Sequence, residues 1–274
     1  MRIAPLEDSL GAELYGGKAA QLAVALGAGL PVPPGVALSV ELVQAIAAGA
    51  PAAIAKLERT WPLLRAPLAV RSSAVGEDSE EASFAGQHLT CLNVRSAADG
   101  VAAVGAIWRS AHSDSALAYR RRLGLIGTPR MAVVVQELVD ADCAGVLFTR
   151  NPIDGADELV VEASWGVGEA VVAGLVTPDR FRVARDGTVL ERVAGAKDLA
   201  VALAPHGGTE EVAISGERIR ALCLDDSRLA ALARLAERCG QEFAGARDLE
   251  WAFTGDVLHL LQCRAMTRAA SLAF

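Results

Sequence analysis

The apolar positions of this chain follow a helical period in several segments. Between residues 19 and 26 they fall at i, i+3, i+4 and i+7, which predicts one face of a helix that ends near Gly27. Residues 226–243 repeat this spacing and predict another amphipathic helix. Residues 41–66, rich in alanine and broken near 49–51 and 61–62, and residues 97–123 predict further helices.

Short apolar runs between polar residues predict the strands. They lie at residues 68–70, 131–136, 145–148, 159–162, 249–253 and 257–264. A hairpin is predicted around Asp186-Gly187. Because no internal repeat or low-complexity linker is visible, we expect these elements to form one α+β unit with two lobes.

Composition narrows the class of protein. The chain has 274 residues, and no apolar run approaches the roughly 18–20 residues that a membrane-spanning helix needs. The first residues lack the apolar core of a signal peptide. Five scattered cysteines without CxxC spacing favour reduced thiols over disulfides or zinc, and we expect a cytoplasmic protein. A net charge of −7 without a basic block argues against a nucleic-acid partner.

The segment at residues 69–87, AVRSSAVGEDSEEASFAGQ, carries the first candidate site. The predicted strand at 68–70 leads into Arg71, whose guanidinium group suits phosphate. Small residues at 82–87 let backbone N–H groups approach an anion closely. From these residues alone, an exposed strand end followed by a solvated acidic loop is an equally good interpretation.

Lys18 is a second candidate, because the chain has only three lysines, the others being Lys56 and Lys197. It follows Gly16-Gly17 in the first turn of a predicted helix, where the helix dipole disfavours a cation. A bound anion would relieve that conflict, although a lysine that points into solvent is the simpler interpretation. The spacing is not that of a P-loop.

The two closing strands predict a hairpin paired about Asp256. In that register Glu250 lies opposite Gln262 and Asp248 lies opposite Arg264, and alternation places all four on one face. Carboxylate and amide oxygens suit magnesium, and the arginine could bind the same phosphates. The pattern alone favours a solvated polar face with an ordinary Asp–Arg pair, and a one-residue slip would undo the geometry.

These signals together resemble, in order, the ATP-binding domain of the phosphoenolpyruvate synthase, pyruvate phosphate dikinase and rifampin phosphotransferase families. The matching motifs are GGKAAQL at 16–22, VPPG at 32–35, VRSS at 70–73, SFAGQ at 83–87, VVVQ at 133–136, GVLFT at 145–149, NP at 151–152, GVGE at 166–169, TPD at 177–179, DLEWA at 248–252 and LQCR at 261–264. The chain departs from the family pattern at Leu89, where a more polar residue is common, and at Ala265, where proline is usual. The segment between residues 34 and 68 is also shorter than in relatives.

The resemblance implies an α+β fold of the ATP-grasp type, with two lobes that hold ATP between them. We place the lobes at residues 1–136 and 137–274, the second with the metal-binding hairpin. Family members split ATP to AMP and phosphate or pyrophosphate, and they pass the β-phosphate to a histidine on a separate swivelling domain. That domain carries the phosphoryl group to a third domain.

The resemblance also implies roles for residues of the first lobe. Lys18 and Arg71 would contact phosphates and take part in catalysis. Gly86 and Thr90 would line the loop over the phosphates, and Gln136 would lie beside the adenine.

In the second lobe, the resemblance assigns Glu250 and Gln262 to magnesium. Arg264 would be the catalytic group that stabilises the transferring phosphoryl group. ATP and Mg²⁺ are therefore the expected cofactors.

The histidine motif of the swivelling domain is absent, and the four histidines present (His88, His112, His206 and His259) are expected to be ordinary residues. We therefore expect an ATP-dependent phosphotransferase subunit whose phosphohistidine and substrate domains are separate chains. The alternatives are a self-sufficient small-molecule kinase or ATP-grasp ligase, and a nucleotide-binding module without turnover. The joint presence of the charged residues named above speaks against the last alternative.

Overall fold

The protein is described by a computed structural model, which covers residues 1–76, 89–122, 124 and 127–266. The chain divides into two compact units. Unit 1 comprises Met1–Gly27, Pro33–Leu138 and Ala204–Gly208, and unit 2 comprises Ala28–Val32, Val139–Leu203 and Thr209–Phe274. The predicted lobes at 1–136 and 137–274 stay a prediction.

Unit 1 contains a five-stranded antiparallel sheet with the strand order β1-β2-β5-β3-β4. Its strands are β1 (Ile3–Pro5), β2 (Gly35–Leu38), β3 (Leu68–Ala74), β4 (Thr90–Val94) and β5 (Met131–Glu137). Strand β3 is an inner strand, hydrogen-bonded to β5 on one side and to β4 on the other.

The helices of unit 1 are α1 (Ala12–Gly27), α2 (Val40–Ala47), α3 (Pro51–Thr60), α4 (Ala97–Ala111) and α5 (Asp114–Arg122). The predicted break near residues 49–51 separates α2 from α3. The helix predicted over 97–123 is two helices, since α4 ends at Ala111 and α5 begins at Asp114. Apolar residues of α2, α3 and α4 form one core with alternate residues of β3 and β5.

The central motif corrects one sequence-based expectation. The strand predicted to end at Val70 continues to Ala74, so Arg71, Ser72 and Ser73 lie within β3. All seven residues of β3 are buried. Ser73 is tolerated in this inner strand because its hydroxyl bonds to another element, whereas the Ser72 hydroxyl has no hydrogen-bond partner within the described residues.

Unit 2 contains a six-stranded antiparallel sheet with the strand order β13-β12-β6-β7-β8-β9. Its strands are β6 (Cys143–Phe148), β7 (Leu159–Trp165), β8 (Asp179–Val183), β9 (Val189–Val193), β12 (Arg247–Thr254) and β13 (Val257–Ala265). The hairpin predicted around Asp186-Gly187 joins β8 to β9, and β7 extends three residues beyond the predicted end at Glu162.

Unit 2 also contains two helices and a separate two-stranded sheet. Helix α6 spans Glu169–Val172, and helix α7 spans Asp226–Glu242 as the apolar spacing predicts. Asp225 caps α7, its carboxylate accepting the Arg228 backbone N–H at 2.8 Å. Strands β10 (Leu199–Leu203) and β11 (Thr209–Ala213) form a hairpin that the sequence patterns did not predict.

In the part of the chain that the structure describes, no single helix is long and apolar enough to cross a membrane. Helix α2 and the helical segment Pro51–Leu63 reach such a length only together, with a bend of 115° between them. Their apolar residues, such as Leu42 and Leu57, belong to the core of unit 1.

Candidate functional site

Three of the predicted nucleotide-binding residues share one face of the sheet in unit 1. Arg71 on β3 is the direct register partner of Thr90 on β4. Two residues earlier on β3, Ala69 is the partner of Gln136 on β5. Because side chains alternate along a strand, Arg71, Thr90 and Gln136 project from the same side of the sheet. The other side carries the buried residues that pack on the helices.

A tight turn in α1 presents Lys18. Gly16 has φ +80° and ψ 168°, which interrupts the helix, so helical geometry resumes just before Lys18. Ser73 of β3 bonds to both sides of this turn. Its hydroxyl donates to the Tyr15 carbonyl at 2.8 Å and accepts the Ala19 backbone N–H at 3.1 Å. The turn is therefore fixed directly to the strand that carries Arg71.

Lys18 is buried, with 5% of its surface exposed. Among the residues that the structure describes, its ammonium group has no hydrogen-bond or ion-pair partner. The side chain is therefore held against the protein, and a bound anion would give its ammonium group a partner. This observation favours the anion-binding interpretation of Lys18 over a lysine that points into solvent.

Gln136 is held by the VPPG motif. Its side-chain nitrogen donates to the Pro33 carbonyl at 2.9 Å, and the Glu137 backbone N–H donates to the Pro34 carbonyl at 2.8 Å. Gly35 lies beside Gln136, and a Cβ there would come within 2.5 Å of the Val135 carbonyl oxygen. Glycine is thus required for the close approach of β2 to β5, and the motif orients the Gln136 amide.

The closing hairpin of unit 2 has the predicted register at the site. Glu250 pairs with Gln262, and Asp248 pairs with Arg264. The turn differs from the prediction. Regular pairing about Asp256 would place Thr254 opposite Leu258, whereas the structure pairs Thr254 with Val257. A bulge at Leu261 restores the predicted register beyond it.

Asp248 and Arg264 form an ion pair on this face. The Arg264 Nε donates to Asp248 Oδ2 at 2.7 Å, and Arg264 Nη2 lies 2.5 Å from the same oxygen. Asp248 is buried, and burial raises the pKa of its carboxyl; the Arg264 guanidinium lowers that pKa and the Glu250 charge raises it. Asp248 Oδ1 is buried without a hydrogen-bond partner in the described part of the chain.

The donor set of this hairpin fits a magnesium ion that also takes substrate oxygens. Glu250 offers a carboxylate and Gln262 an amide oxygen from directly opposed positions, where Cβ atoms lie about 4.5–5.5 Å apart. The unpartnered Asp248 oxygen adds negative potential on the same face. Within the described residues, no group of three or more His, Cys, Asp or Glu side chains could hold a metal by itself. An ion here would accordingly need further ligands from phosphate and water.

Lys197, the third lysine, has a structural partner within unit 2. Lys197 and Asp179 are fully buried, and the Lys197 ammonium donates to Asp179 Oδ1. Backbone N–H groups of Gly195 and Cys223 also donate to this carboxylate, each at 2.8 Å. The TPD motif thus supplies the acceptor of a buried ion pair.

The predicted site residues therefore fall into two groups. The structure brings Arg71, Thr90 and Gln136 together within unit 1, with Lys18 fixed to the same strand, and Glu250, Gln262 and Arg264 together within unit 2. Gly86 lies outside the described residues, as does most of the loop predicted over the phosphates. The sequence patterns missed the role of Ser73, whose hydrogen-bond partners are more than 50 residues away.

Comparison with known proteins identifies the family. Residues 38–272 match the family described as "Pyruvate phosphate dikinase, AMP/ATP-binding domain". The chain belongs to this family. The match includes all predicted site residues except Lys18, which precedes it. The chain therefore contains an ATP-binding domain, as predicted, and the predicted α+β class is confirmed.

Curated relatives carry the same domain within longer proteins. The chain is 42% identical to a rifampicin phosphotransferase of Streptomyces sviceus over 205 residues, which cover 74% of this chain and 24% of the relative. It is 40% identical over 202 residues to a probable phosphoenolpyruvate synthase of Methanothermobacter thermautotrophicus, covering 73% of this chain and 29% of the relative. The chain thus spans about a quarter of the length of the relatives it matches.

Among solved structures, PH1788 from Pyrococcus horikoshii is similar, with a TM-score of 0.48, 13% identity and 94% of each chain covered.

Proposed function

We propose that this chain is the ATP-binding part of a phosphotransferase that cleaves Mg-ATP. It passes a phosphoryl group, the β-phosphate, to a histidine on a separate domain or chain. AMP is released, and the γ-phosphate leaves as phosphate when water takes it or as pyrophosphate when a second phosphate takes it. The observation that carries the proposal is the hairpin of unit 2, where a carboxylate, an amide and a guanidinium lie on one face in the predicted register. Family membership supplies the nucleotide.

In unit 1, Lys18 and Arg71 would contact the phosphates of the nucleotide. Lys18 is buried without a partner in the described part of the chain, which supports this role. Thr90, the register partner of Arg71, and Gly86 would line the loop over the phosphates. Gln136, whose nitrogen is occupied by Pro33, would present its amide oxygen to the adenine.

In unit 2, Glu250 and Gln262 would hold the magnesium ion, whose charge offsets that of the phosphates when it is bound. Arg264 would stabilise the charge that develops on the transferring group. Asp248 holds the Arg264 guanidinium through Nε and Nη2, so the arginine is oriented before the nucleotide binds. A preoriented donor avoids reorganisation during the transfer step.

The direct test follows the fate of the nucleotide. The chain is incubated with Mg-ATP alone, and with Mg-ATP plus a separately produced histidine domain of the family, and the nucleotides are separated by chromatography. We expect AMP only when the histidine domain is present, together with an acid-labile phosphate on that domain. Steady formation of ADP with a small molecule and no histidine domain would instead support a kinase or ligase. Tight Mg-ATP binding without cleavage in any mixture would support a nucleotide-binding module.

A further inference from the structure

The inference concerns Ser73, a buried serine of β3 that is not among the predicted phosphate-binding residues. Its hydroxyl donates to the Tyr15 carbonyl and accepts from the Ala19 backbone N–H. Tyr15 and Ala19 flank the Gly16–Lys18 turn on both sides. One hydroxyl therefore closes the turn from which Lys18 projects.

The turn lies against the backbone of β3 as well as against the serine hydroxyl. A Cβ at Gly16 would come within 2.1 Å of the Ser73 carbonyl oxygen and 2.5 Å of its Oγ. Since Gly16 also has φ +80°, only glycine is accommodated there without strain. The path of the chain into Lys18 is thus determined by contact with Ser73.

A second serine contacts the same residue, Ala19, at its carbonyl group. Ser9 Oγ donates mainly to the Leu6 carbonyl at 2.6 Å and also lies 3.3 Å from the Ala19 carbonyl, so buried serine hydroxyls contact both the N–H and the carbonyl of Ala19. The residue directly after Lys18 is accordingly anchored on both sides. Such anchoring reduces the entropy lost when Lys18 binds an anion.

Strand β3 also carries Arg71, two residues before Ser73 and on the same face. Arg71 is 8% exposed, and β3 is held between two hydrogen-bonded neighbours. The rigid strand thus serves as a common base for Arg71 and Lys18.

We propose that Ser73 is a positioning residue for phosphate binding: its hydroxyl sets Lys18 in a fixed place relative to Arg71. This inference rests on the proposed function. Ser73 contacts no substrate in this role and acts through the turn that it closes. A nucleoside triphosphate has closely spaced anionic groups, so a fixed separation of Lys18 and Arg71 matters for binding it.

The adjacent Ser72 provides a matched control. Both serines are fully buried on the same strand, but Ser72 projects from the opposite face, and its Oγ has no hydrogen-bond partner in the described part of the chain. Ser72→Ala therefore removes a buried hydroxyl without removing a hydrogen bond. Ser73→Ala removes the same group together with its two bonds.

The test measures Mg-ATP affinity by titration calorimetry for the full chain and for Ser73→Ala, Ser72→Ala, Lys18→Ala and the Ser73→Ala/Lys18→Ala double variant. We expect Ser73→Ala to weaken Mg-ATP binding roughly tenfold, the size expected for loss of two hydrogen bonds, and Ser72→Ala to leave it unchanged. In the Lys18→Ala background, Ser73→Ala should cause no further loss, because its effect passes through Lys18. A merely structural serine would weaken binding equally in both backgrounds.

Hydrogen exchange provides a readout that does not depend on nucleotide. The Ala19 amide should exchange faster in Ser73→Ala than in the wild type and in Ser72→Ala. If Ser73→Ala does not fold, Ser73→Cys keeps the volume with a weaker donor and enters the same cycle. Wild-type affinity in Ser73→Ala, or additive effects in the cycle, would overturn the inference and leave the proposed function intact. Failure of the wild-type chain to bind Mg-ATP would remove the proposed function, whatever the exchange at Ala19.

Discussion

Glu250 lies directly opposite Gln262 although the turn that joins their strands is tighter than a regular pairing about Asp256 requires. The tight turn shifts the pairing by one residue near its end, and the bulge at Leu261 shifts it back. Because a one-residue slip reverses the face of every side chain beyond it, the bulge is what keeps Gln262 beside Glu250. The proposed metal donor pair therefore depends on an irregularity of the hairpin.

The first prediction concerns the carboxylate of this pair. Glu250→Gln removes the negative charge and keeps the size of the side chain, so Mg-dependent ATP binding should weaken at least about tenfold. The measurement is calorimetric titration of ATP in the presence of Mg²⁺ and in the presence of EDTA. Glu191→Gln, on the edge strand of the same sheet, is the control and should bind Mg-ATP as the wild type does. If the two variants behave alike, Glu250 is not part of a metal site.

Arg264 should matter for turnover more than for binding. Arg264→Ala is expected to lower the rate of phosphoryl transfer by about 10²–10³-fold and to leave Mg-ATP affinity largely intact, because the guanidinium would act mainly in the transition state. The same change leaves the buried Asp248 carboxylate without its cation, which should cost up to about 3 kcal/mol of unfolding free energy.

A double variant separates these two effects of Arg264. In Arg264→Ala/Asp248→Asn the uncompensated charge is gone, so stability measured by urea unfolding should recover while turnover remains low. Recovery of turnover in the double variant would show that Arg264 acts only on folding, and would remove it from the catalytic group.

The pH dependence of stability should carry the signature of Asp248. Burial raises the pKa of its carboxyl above the ordinary value of 3.8, so the folded state holds this proton more tightly than the unfolded state. The contribution of this proton to the free energy of unfolding is fully present below the ordinary pKa. It is lost as pH rises through the raised pKa of the folded state. Asp248→Asn should therefore remove a component of stability that decreases with rising pH from about 4 upward.

Asp186 supplies a control of opposite sign for this measurement. Hydrogen bonds from Thr188 lower the pKa of the Asp186 carboxyl, so its contribution is lost as pH falls. Unfolding free energies of both Asp→Asn variants, measured across pH 3–7 in urea, should deviate from the wild type with opposite slopes. Parallel slopes would contradict the assignment for Asp248.

The register of the hairpin could be predicted from the sequence, whereas its bulge could not. Alternation of polar and buried residues on both sides of Glu250 and Gln262 restricts the pairing to registers that keep the apolar residues inside. The turn and bulge depend instead on local backbone twist, and Gly255, with φ +54°, allows the shorter loop. Two deviations from regular pairing cancelled, so the predicted neighbours at the site were right.

Strand β3 shows why the candidate residues of unit 1 were harder to predict. Arg71, Ser72 and Ser73 interrupt an apolar run, and a polar interruption ordinarily marks the end of a strand. Here a turn from a distant part of the chain supplies hydrogen bonds to Ser73, so the strand continues through buried polar residues. A contact across more than 50 residues leaves no periodic signal in the sequence, and the role of Ser73 could be found only from the structure.

Gly16 should be intolerant of any side chain. In Gly16→Ala the new Cβ would overlap the Ser73 carbonyl and would force a positive φ on alanine, so unfolding free energy should fall by more than about 1 kcal/mol. Gly27→Ala, at the end of the same helix with open space around it, should change stability by less than about 0.5 kcal/mol. Urea unfolding of the two variants is the measurement, and equal losses would contradict the close packing of the turn.

The buried pair of Lys197 and Asp179 leads to the last prediction. Lys197→Met keeps the length of the side chain but leaves a fully buried carboxylate with only the Gly195 and Cys223 backbone donors, which should cost about 3 kcal/mol of unfolding free energy. Asp179→Asn combined with Lys197→Met removes the stranded charge and should recover part of the loss.

Lys56 is the matched control for that experiment, because its ammonium bonds at an exposed position to the Met1 carbonyl at 3.1 Å. Lys56→Met should therefore change stability little. At temperatures where Lys197→Met remains folded, it should also bind Mg-ATP as tightly as the wild type, since its partner is Asp179 and not a phosphate. Weakened nucleotide binding at unchanged stability would instead place Lys197 among the nucleotide ligands.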